Sequence, residues 1–105
     1  MREPCVYILT RQRNGTFYTG VTSDLMARIY QHREGVTGGF TSEHRVLRLV
    51  YYEMHATMVE AIRREKAIKR WKREYKLNLI ERDNPHWDDL AVGLGFAPLP
   101  SVLPG

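Results

Sequence analysis

Five side chains in this 105-residue sequence are of types that together can cut a phosphodiester bond. They are Tyr7, Tyr18, Arg28, His32 and Glu65. A carboxylate can hold a divalent cation, a guanidinium can bind a phosphate, and a tyrosine with a histidine can move the proton of a water molecule. Metal-assisted hydrolysis needs these groups, so the first hypothesis is a nuclease.

Glu65 lies in the middle of a predicted basic helix, on the stripe where apolar residues are expected. The helix is expected to begin after Thr57, because Thr57 and Glu60 have the spacing of a capping box. One face of the helix then carries Ala61, Ile62, Glu65, Ile68 and Lys72. A carboxylate among apolar neighbours is costly to bury unless a cation, a metal or several donors compensate its charge. An ion pair with Lys69 or Arg28 is the alternative to a metal.

Length and composition predict one cytoplasmic domain. A chain of 105 residues that is 43% hydrophobic can bury a core without disulfides. Cys5 is the only cysteine, so no internal disulfide can form and a reducing compartment fits best. The sequence has neither an apolar run long enough to cross a membrane nor the pattern of a signal peptide. We therefore expect a cytoplasmic monomer without a membrane partner.

Basic residues are concentrated in one segment. The formal net charge is +4, and eight of the sixteen Lys and Arg residues lie between positions 63 and 76. The predicted nucleic-acid contacts are Arg63, Lys66, Lys69, Arg70, Lys72, Arg73 and Lys76. Such a helix can neutralise phosphates, and Trp71 and Tyr75 could stack on an unpaired base. DNA is the expected partner, with RNA as an alternative; a solvated charged face and a packed Trp71 are the simpler explanations.

The predicted elements follow the order β-β-α-β-α-α. The strands are expected at residues 5–11, 16–21 and 46–53. Asn14 and Gly15 between the first two are a strong hairpin signal. The helices are expected after a Thr22 or Ser23 cap, after Thr57, and at residues 73–82, with Tyr75 facing inward. Residues 35–42 read as a flexible loop. This order predicts an α+β domain with a small three-stranded antiparallel sheet flanked by helices.

The end of the chain is predicted to hold one more short helix and a tail. Asn84 is expected to be the N-cap of this helix, which would pack Trp87 and Leu90 onto the core. Residues 93–105 are rich in Gly and Pro and lack periodicity, so we expect a flexible tail there. The domain is therefore predicted to span residues 1–92.

The motifs resemble those of the GIY-YIG nuclease superfamily in their order and spacing. They are Val6-Tyr7, Tyr18-Thr19-Gly20, Arg28 with His32, and Glu65 within Arg-Glu-Lys. Residues 76–81 and 84–87 resemble its small, stand-alone bacterial branch, and the resemblance runs from about residue 5 to residue 90. Cys5 and Thr19 replace the Gly and Ile of the two name-giving triplets, and Val21 stands where some relatives carry a catalytic Lys.

The resemblance and the chemistry of phosphodiester hydrolysis together suggest a role for each candidate side chain. Glu65 would be the sole protein ligand of one divalent cation, Mg²⁺ or Mn²⁺, and Arg28 would bind the scissile phosphate. Tyr7 would be the general base, with His32 accepting its proton, because a tyrosine of ordinary pKa is a poor base at neutral pH. Tyr18 would orient the water or a phosphate oxygen. The two tyrosines could exchange these roles.

The leading functional hypothesis is a metal-dependent DNA endonuclease. A single small domain has limited means to grip both strands of a duplex, so we expect a preference for single-stranded or structured DNA in repair or recombination. The alternatives are a catalytically silent nucleic-acid-binding domain and a protein-interaction module. Asn84 is a possible accessory residue, since some relatives use an Asn near the site, although a helix cap explains it without catalysis.

Overall fold

The fold is a three-stranded antiparallel sheet flanked by helices, as the sequence predicts. The computed structural model describes residues 3–11, 15–34 and 48–98. Its elements are β1 (Cys5–Thr10), β2 (Phe17–Thr22), α1 (Leu25–Glu34), β3 (Arg48–Met54), α2 (Met58–Arg70), α3 (Arg73–Asp83) and α4 (Leu90–Gly93). The predicted turn residue Asn14, the predicted loop at 35–42 and the tail from residue 99 onward lie outside the described residues.

Strand β1 is the centre of the sheet, whose order is β2-β1-β3. Both neighbours run antiparallel to it. All six residues of β1 are buried, because helices cover both faces of the sheet. Val6 and Ile8 point to one face, whereas Cys5, Tyr7 and Leu9 point to the other. The sheet therefore separates two cores and leaves β2 at an edge.

The two cores are built by different helices. The first core lies under α2 and α3, and its buried helical residues are Ala61, Ile68, Leu79 and Ile80. The second lies under α1 and α4, and its buried helical residues are Leu25, Ile29 and Ala91. Burying one large aliphatic side chain contributes about 1.5–3 kcal/mol, so each core holds its helices firmly on the sheet.

Helix α2 begins at the predicted Thr57 cap. The Thr57 hydroxyl accepts a hydrogen bond from Glu60 N at 3.1 Å and donates one to the Glu60 carboxylate at 3.2 Å. The buried residues of the helix are Ala61, Glu65 and Ile68. The prediction that Ile62 shares this face is wrong, since Ile62 is 37% exposed. It lies about 100° further round the helix than Ala61, so its side chain points away from the contact between α2 and the sheet.

An elbow at Trp71 and Lys72 separates α2 from α3. The backbone of both residues is extended, which places Lys72 outside the face on which the sequence predicted it. Helix α3 follows at nearly the predicted position. The prediction that Tyr75 faces inward is wrong: its side chain is 54% exposed. Tyr75 lies one turn before the buried Leu79, next to the elbow and beyond the edge of the core.

Helix α1 is capped by Asp24, and not by Thr22 or Ser23 as predicted. Asp24 Oδ1 accepts a hydrogen bond from Ala27 N at 3.1 Å, which satisfies one of the free amides of the first turn. The Thr22 hydroxyl instead accepts from Asp24 N at 3.0 Å and so fixes the cap residue.

Asn84 ends α3 and does not begin the next helix, so its predicted N-cap role is wrong. Its N–H donates to Ile80 O at 2.9 Å. The chain then turns back through Trp87, which has a left-handed backbone with a φ of 57° and is buried as predicted. A helix can form only after this turn, where Asp89 caps α4 by accepting from Ala91 N at 3.1 Å.

Residues 94–97, which the sequence predicted to be flexible, pack against α1 and the second core. Leu94 and Phe96 contact that core. Arg33 Nη1 donates to Ala97 O at 2.7 Å, and the Arg33 guanidinium lies over the Phe96 ring at 5.1 Å. Arg33 also pairs with Asp89 at 2.8 Å. The end of α1 thus holds the first part of this segment in place.

Candidate active site

The pairing of β1 with β2 places the two candidate tyrosines on one face of the sheet. Tyr7 is opposite Gly20, and Leu9 is opposite Tyr18, so the tyrosines are diagonal neighbours. Their ring centroids are 6.2 Å apart. Tyr7 is fully buried, whereas Tyr18, on the edge strand, is only half-buried. Solvent or a substrate can therefore approach the pair from the side of Tyr18.

His32 of α1 completes a cluster of three rings. Its Nε2 lies 3.1 Å from the Tyr7 hydroxyl oxygen. The Tyr18 ring meets the His32 ring edge-on, with centroids 5.3 Å apart. Arg28 lies one turn earlier on the same helix, and its charge acts on both Tyr7 and His32. The structure therefore brings together four of the five candidate side chains, Tyr7, Tyr18, Arg28 and His32.

Burial controls the protonation of this cluster. Desolvation raises the pKa of Tyr7 above its usual value; the neighbouring Tyr18 adds to the rise and the positive charge of Arg28 opposes it. Burial and, after it, the Arg28 charge lower the pKa of His32 to about 4. Both side chains are therefore neutral at pH 7. A neutral imidazole has one acceptor nitrogen, which can receive the Tyr7 proton.

Gly20 is a part of the site that residue type alone does not reveal. It faces Tyr7 across the ladder, and the Tyr7 ring occupies the space in which a side chain at position 20 would begin. The signal in the sequence is its place two residues after Tyr18 in a strand that returns from a hairpin. Glycine at this point lets the Tyr7 ring lie flat against β2.

Glu65 is not part of the ring cluster. It lies between Ala61 and Ile68 on the buried side of α2, which covers the opposite face of the sheet. Its carboxylate is 12% exposed and pairs with Lys69 Nζ at 3.0 Å. Of the two ion pairs considered from the sequence, the structure contains the one with Lys69.

A divalent cation fits Glu65 as a single-carboxylate ligand. In the part of the chain that the structure describes, no three His, Cys, Asp or Glu side chains are grouped as metal ligands. A Mg²⁺ ion keeps several waters and needs only one or two carboxylates beside substrate oxygens. The Glu65 carboxylate keeps some exposure to solvent, so a hydrated cation can reach it in competition with Lys69.

Some of the predicted nucleic-acid contacts are committed, because their side chains already make contacts within the protein, and the others are available to a ligand. The committed ones are Lys69, which pairs with Glu65; Lys76, which donates to Lys69 O at 3.4 Å; and Arg73. Arg73 donates to Gly15 O at 3.0 Å and lies over the Phe17 ring, so it holds the β1–β2 hairpin. Within residues 3–11, 15–34 and 48–98, no hydrogen bond or ion pair engages the exposed side chains of Arg63, Lys66, Arg70 and Lys72.

Asn84, the possible accessory residue, uses its whole amide in the fold. Nδ2 donates to Val50 O at 3.1 Å and to Asp88 O at 3.0 Å. Oδ1 accepts from Asp88 N at 2.9 Å. The side chain is buried and joins β3 to the turn after α3. This geometry gives Asn84 a structural role.

Comparisons with known proteins agree on one family. A family model described as the GIY-YIG catalytic domain matches residues 3–78. UPF0213 proteins of Staphylococcus aureus strains Mu3 and Mu50 are each 41% identical to this chain over 76 residues, which is 72% of this chain and 92% of the relative. Their names state no activity.

A solved structure has the same fold. The solution NMR structure of a UPF0213 protein from Bacillus halodurans superposes with a TM-score of 0.53 at 28% identity, covering 90% of this chain and 99% of that chain. No helix among the described residues is long and apolar enough to cross a membrane.

Proposed function

The chain belongs to the GIY-YIG catalytic domain family, a family of endonucleases, and from this premise we propose that it hydrolyses phosphodiester bonds of DNA in a metal-dependent reaction. The observation that carries the proposal is the 3.1 Å contact between the Tyr7 hydroxyl and His32 Nε2. A buried hydrogen bond between two neutral, proton-exchanging groups beside an arginine suits acid–base chemistry on an anionic substrate.

The Tyr7–His32 pair supplies the proton route. Tyr7 with a raised pKa does not lose its proton on its own at neutral pH, so it acts as a base only while it passes that proton on. His32 is neutral and within hydrogen-bond distance, so it accepts the Tyr7 proton as Tyr7 takes one from water. An entering phosphate favours this transfer, because its negative charge stabilises the imidazolium.

Arg28 and Tyr18 are the groups that would bind the phosphate. Arg28 lacks a carboxylate partner in the described residues, so its guanidinium is available to an anion. Its planar fork can bind two phosphate oxygens and stabilise the charge that develops during hydrolysis. Tyr18 is half-buried on the edge strand, where its hydroxyl can orient a water molecule or a phosphate oxygen.

Glu65 would hold the divalent cation. Because β2 is an edge strand, a phosphodiester at this edge could be reached from both faces of the sheet. When bound, Mg²⁺ or Mn²⁺ would offset the charge on the phosphate and on the leaving oxygen. The ion pair with Lys69 orients the Glu65 carboxylate while the cation is absent.

Single-stranded or structured DNA, as met in repair or recombination, is the proposed substrate. The available basic residues Arg63, Lys66, Arg70 and Lys72 can bind phosphates, which carry no sequence information. One small domain buries too little surface to wrap a long duplex, whereas exposed Tyr75 offers a ring to an unpaired base.

The test is incubation of the purified protein with labelled single-stranded, duplex and forked DNA in Mg²⁺, Mn²⁺ or EDTA. We expect cleavage with metal only, and a loss of cleavage in Glu65→Gln, which keeps the shape of the side chain. Glu74→Gln on α3, an exposed position, is the matched control and should cut normally. Cleavage by Glu65→Gln at the wild-type rate would disprove the metal role of Glu65. Annealing the same oligonucleotide to its complement tests the strand preference.

The second candidate function is a catalytically silent nucleic-acid-binding domain. The ion pair between Glu65 and Lys69 favours it, because this contact neutralises the carboxylate without a metal. DNA binding without cleavage under every metal condition would establish this alternative.

A further inference from the structure

A pocket of about 490 Å³ lies at the elbow between α2 and α3. It is lined by Trp71, Tyr75, Asn78, Leu79 and Arg82, and we call it the elbow pocket. We infer that the elbow pocket binds one unpaired base of a DNA strand. The inference rests on the proposed function, because it names a part of the substrate that the protein holds away from the reacting phosphate.

The shape and chemistry of the elbow pocket suit a flat aromatic ring. The pocket volume lies within the usual range of about 300–1,000 Å³ for small-molecule sites. Leu79 is buried, while Trp71 is half-buried and Tyr75 is mostly exposed. Two aromatic side chains around an apolar floor can stack on a base of any sequence, since every base has a π-face.

Polar groups at the rim can meet the edge of a base and its phosphate. Within the described residues, the Asn78 amide makes no hydrogen bond. The amide offers both a donor and an acceptor to a base edge. Arg82 is 67% exposed, and its pair with Asp83 at 3.2 Å is a solvent-exposed contact that costs little to exchange for a phosphate.

Arg64 holds the Trp71 ring in place before any ligand arrives. Its guanidinium lies 5.1 Å from the centre of that ring. Arg64 Nε is fixed in turn by both oxygens of Glu53, at 3.2 and 3.0 Å, and Tyr51 and His55 each hold one Glu53 oxygen. A ring that is already ordered loses less conformational entropy on binding. This network therefore preorganises the Trp71 wall of the elbow pocket.

The charge around the elbow matches a nucleic-acid strand. Arg70 and Lys72 flank Trp71 in the chain, and both are exposed without a partner in the described residues. Trp71 follows Glu65 by six residues, which is a rise of about 9 Å along α2. A strand whose base enters the pocket can therefore place its neighbouring phosphates on Arg70 and Lys72, a few nucleotides from the carboxylate.

The experiment measures binding in EDTA, so that no cleavage is needed. A short oligothymidylate is titrated into the protein, and an abasic oligomer of equal length and charge is titrated separately at the same salt concentration. Trp71 emission reports occupancy, because the other tryptophan, Trp87, is fully buried. We expect oligothymidylate to quench this emission and to bind at least about fivefold more tightly than the abasic oligomer.

Three variants separate stacking from general effects. Tyr75→Ala should weaken oligothymidylate binding at least about fivefold and leave binding of the abasic oligomer unchanged. Tyr75→Phe keeps the ring and should bind as the wild type does. Tyr30→Ala, at an equally exposed tyrosine of α1 outside the pocket, should also bind normally.

Several results would overturn the inference. One is equal affinity for the two oligomers, and another is an equal loss of affinity for both in Tyr75→Ala. A third is a dimer, detected by sedimentation, that dissociates in Tyr75→Ala; this result would assign the pocket to a second copy of the chain. The two proposals fail separately. If the protein cleaves DNA but Tyr75→Ala binds oligothymidylate normally, only the pocket proposal fails. If binding depends on the bases but no cleavage occurs, only the nuclease proposal fails.

Discussion

Gly20 and Tyr7 face each other across the β1–β2 ladder so closely that a Cβ at position 20 would stand 2.5 Å from the Tyr7 hydroxyl oxygen. The Tyr7 ring is fully buried. The same hydroxyl makes the 3.1 Å contact with His32 Nε2. The absence of a side chain at position 20 therefore sets the distance on which the proposed proton route depends.

Gly20→Ala is expected to displace the Tyr7 ring and break its contact with His32. Overpacking a core usually costs about 1–3 kcal/mol, and we expect a loss of this size in urea unfolding together with a loss of cleavage. Gly93→Ala is the control, because a Cβ there meets nothing within 4 Å. Normal cleavage by Gly20→Ala would show that the Tyr7 position tolerates a shift.

Tyr7→Phe removes the hydroxyl and keeps the ring in the core. If Tyr7 passes a proton to His32, the rate of cleavage should fall by about 10²–10⁴-fold, the usual contribution of general acid–base catalysis. Tyr30→Phe, at an exposed tyrosine of α1, is the same change outside the site. Single-turnover rates on labelled DNA measure both. A Tyr7→Phe protein that cuts at the wild-type rate would move the base role to Tyr18.

His32 should stay neutral down to about pH 4, well below the ordinary imidazole pKa. NMR titration of its ring protons measures this directly. Arg28→Met, which removes the charge and keeps most of the volume, should raise the pKa of His32. An unchanged His32 pKa in this variant would mean that burial alone causes the shift.

The same shift predicts how stability depends on pH. Between pH 4 and 6.5 the unfolded chain binds a proton at His32 that the folded chain does not, so stability falls as pH falls through this window. The loss should be on the order of 2–3 kcal/mol. In urea unfolding, the free energy of unfolding of His32→Gln should fall by this much less between pH 6.5 and pH 4 than that of the wild type. Because Glu53 titrates in both proteins, their difference isolates His32.

Lys69→Met should make Glu65 a better metal ligand. The variant removes the cation that pairs with the carboxylate at 3.0 Å, so Mn²⁺ binding measured by calorimetry should tighten several-fold. Lys66→Met on the same helix loses the same charge without touching Glu65 and serves as the control. Equal Mn²⁺ affinity in the two variants would show that Glu65 does not bind the metal.

Asn84→Ala tests the structural role of that amide. The change leaves the Val50 and Asp88 carbonyl groups without their donor, and a buried unsatisfied group costs about 1–3 kcal/mol. We expect a loss of about 2–4 kcal/mol in urea unfolding. Full stability with a reduced cleavage rate would instead support the accessory catalytic role that the sequence allowed.

Local patterns in the sequence predicted most of the fold. Runs of branched and aromatic residues and the Asn-Gly turn predicted the first two strands, alternation predicted the third, and the Thr57 capping box predicted the start of α2. The errors at Ile62, Tyr75 and Asn84 share one cause: the surroundings of these residues depend on the width of the helix–sheet contact, the elbow and the left-handed turn at Trp87. These are tertiary features, and spacing along the chain does not encode them.

The ring cluster contains four of the five predicted side chains, whereas the position of Glu65 on the other face of the sheet and the electrostatics of the cluster were not predicted. The hairpin related Tyr7 to Tyr18 and the spacing of four related Arg28 to His32, but only the chemistry of the side chains and the family resemblance grouped all four. The direction of each pKa shift depends on burial, which only the packed structure provides. The choice of Lys69 as the partner of Glu65 was left open, because spacing permits this pair without requiring it.

The Arg33 contacts make the smallest folding unit longer than the segment that matches the family. The match ends at residue 78, but Ile80 and Trp87 complete one core and Phe96 covers the other. A shortened protein that keeps both cores complete must therefore extend at least through Ala97. Because Arg33 anchors Ala97 at the end of α1, a partner protein fused there would emerge beside the helix that carries Arg28 and His32. Such a fusion would place the added protein next to the Tyr7–His32 pair.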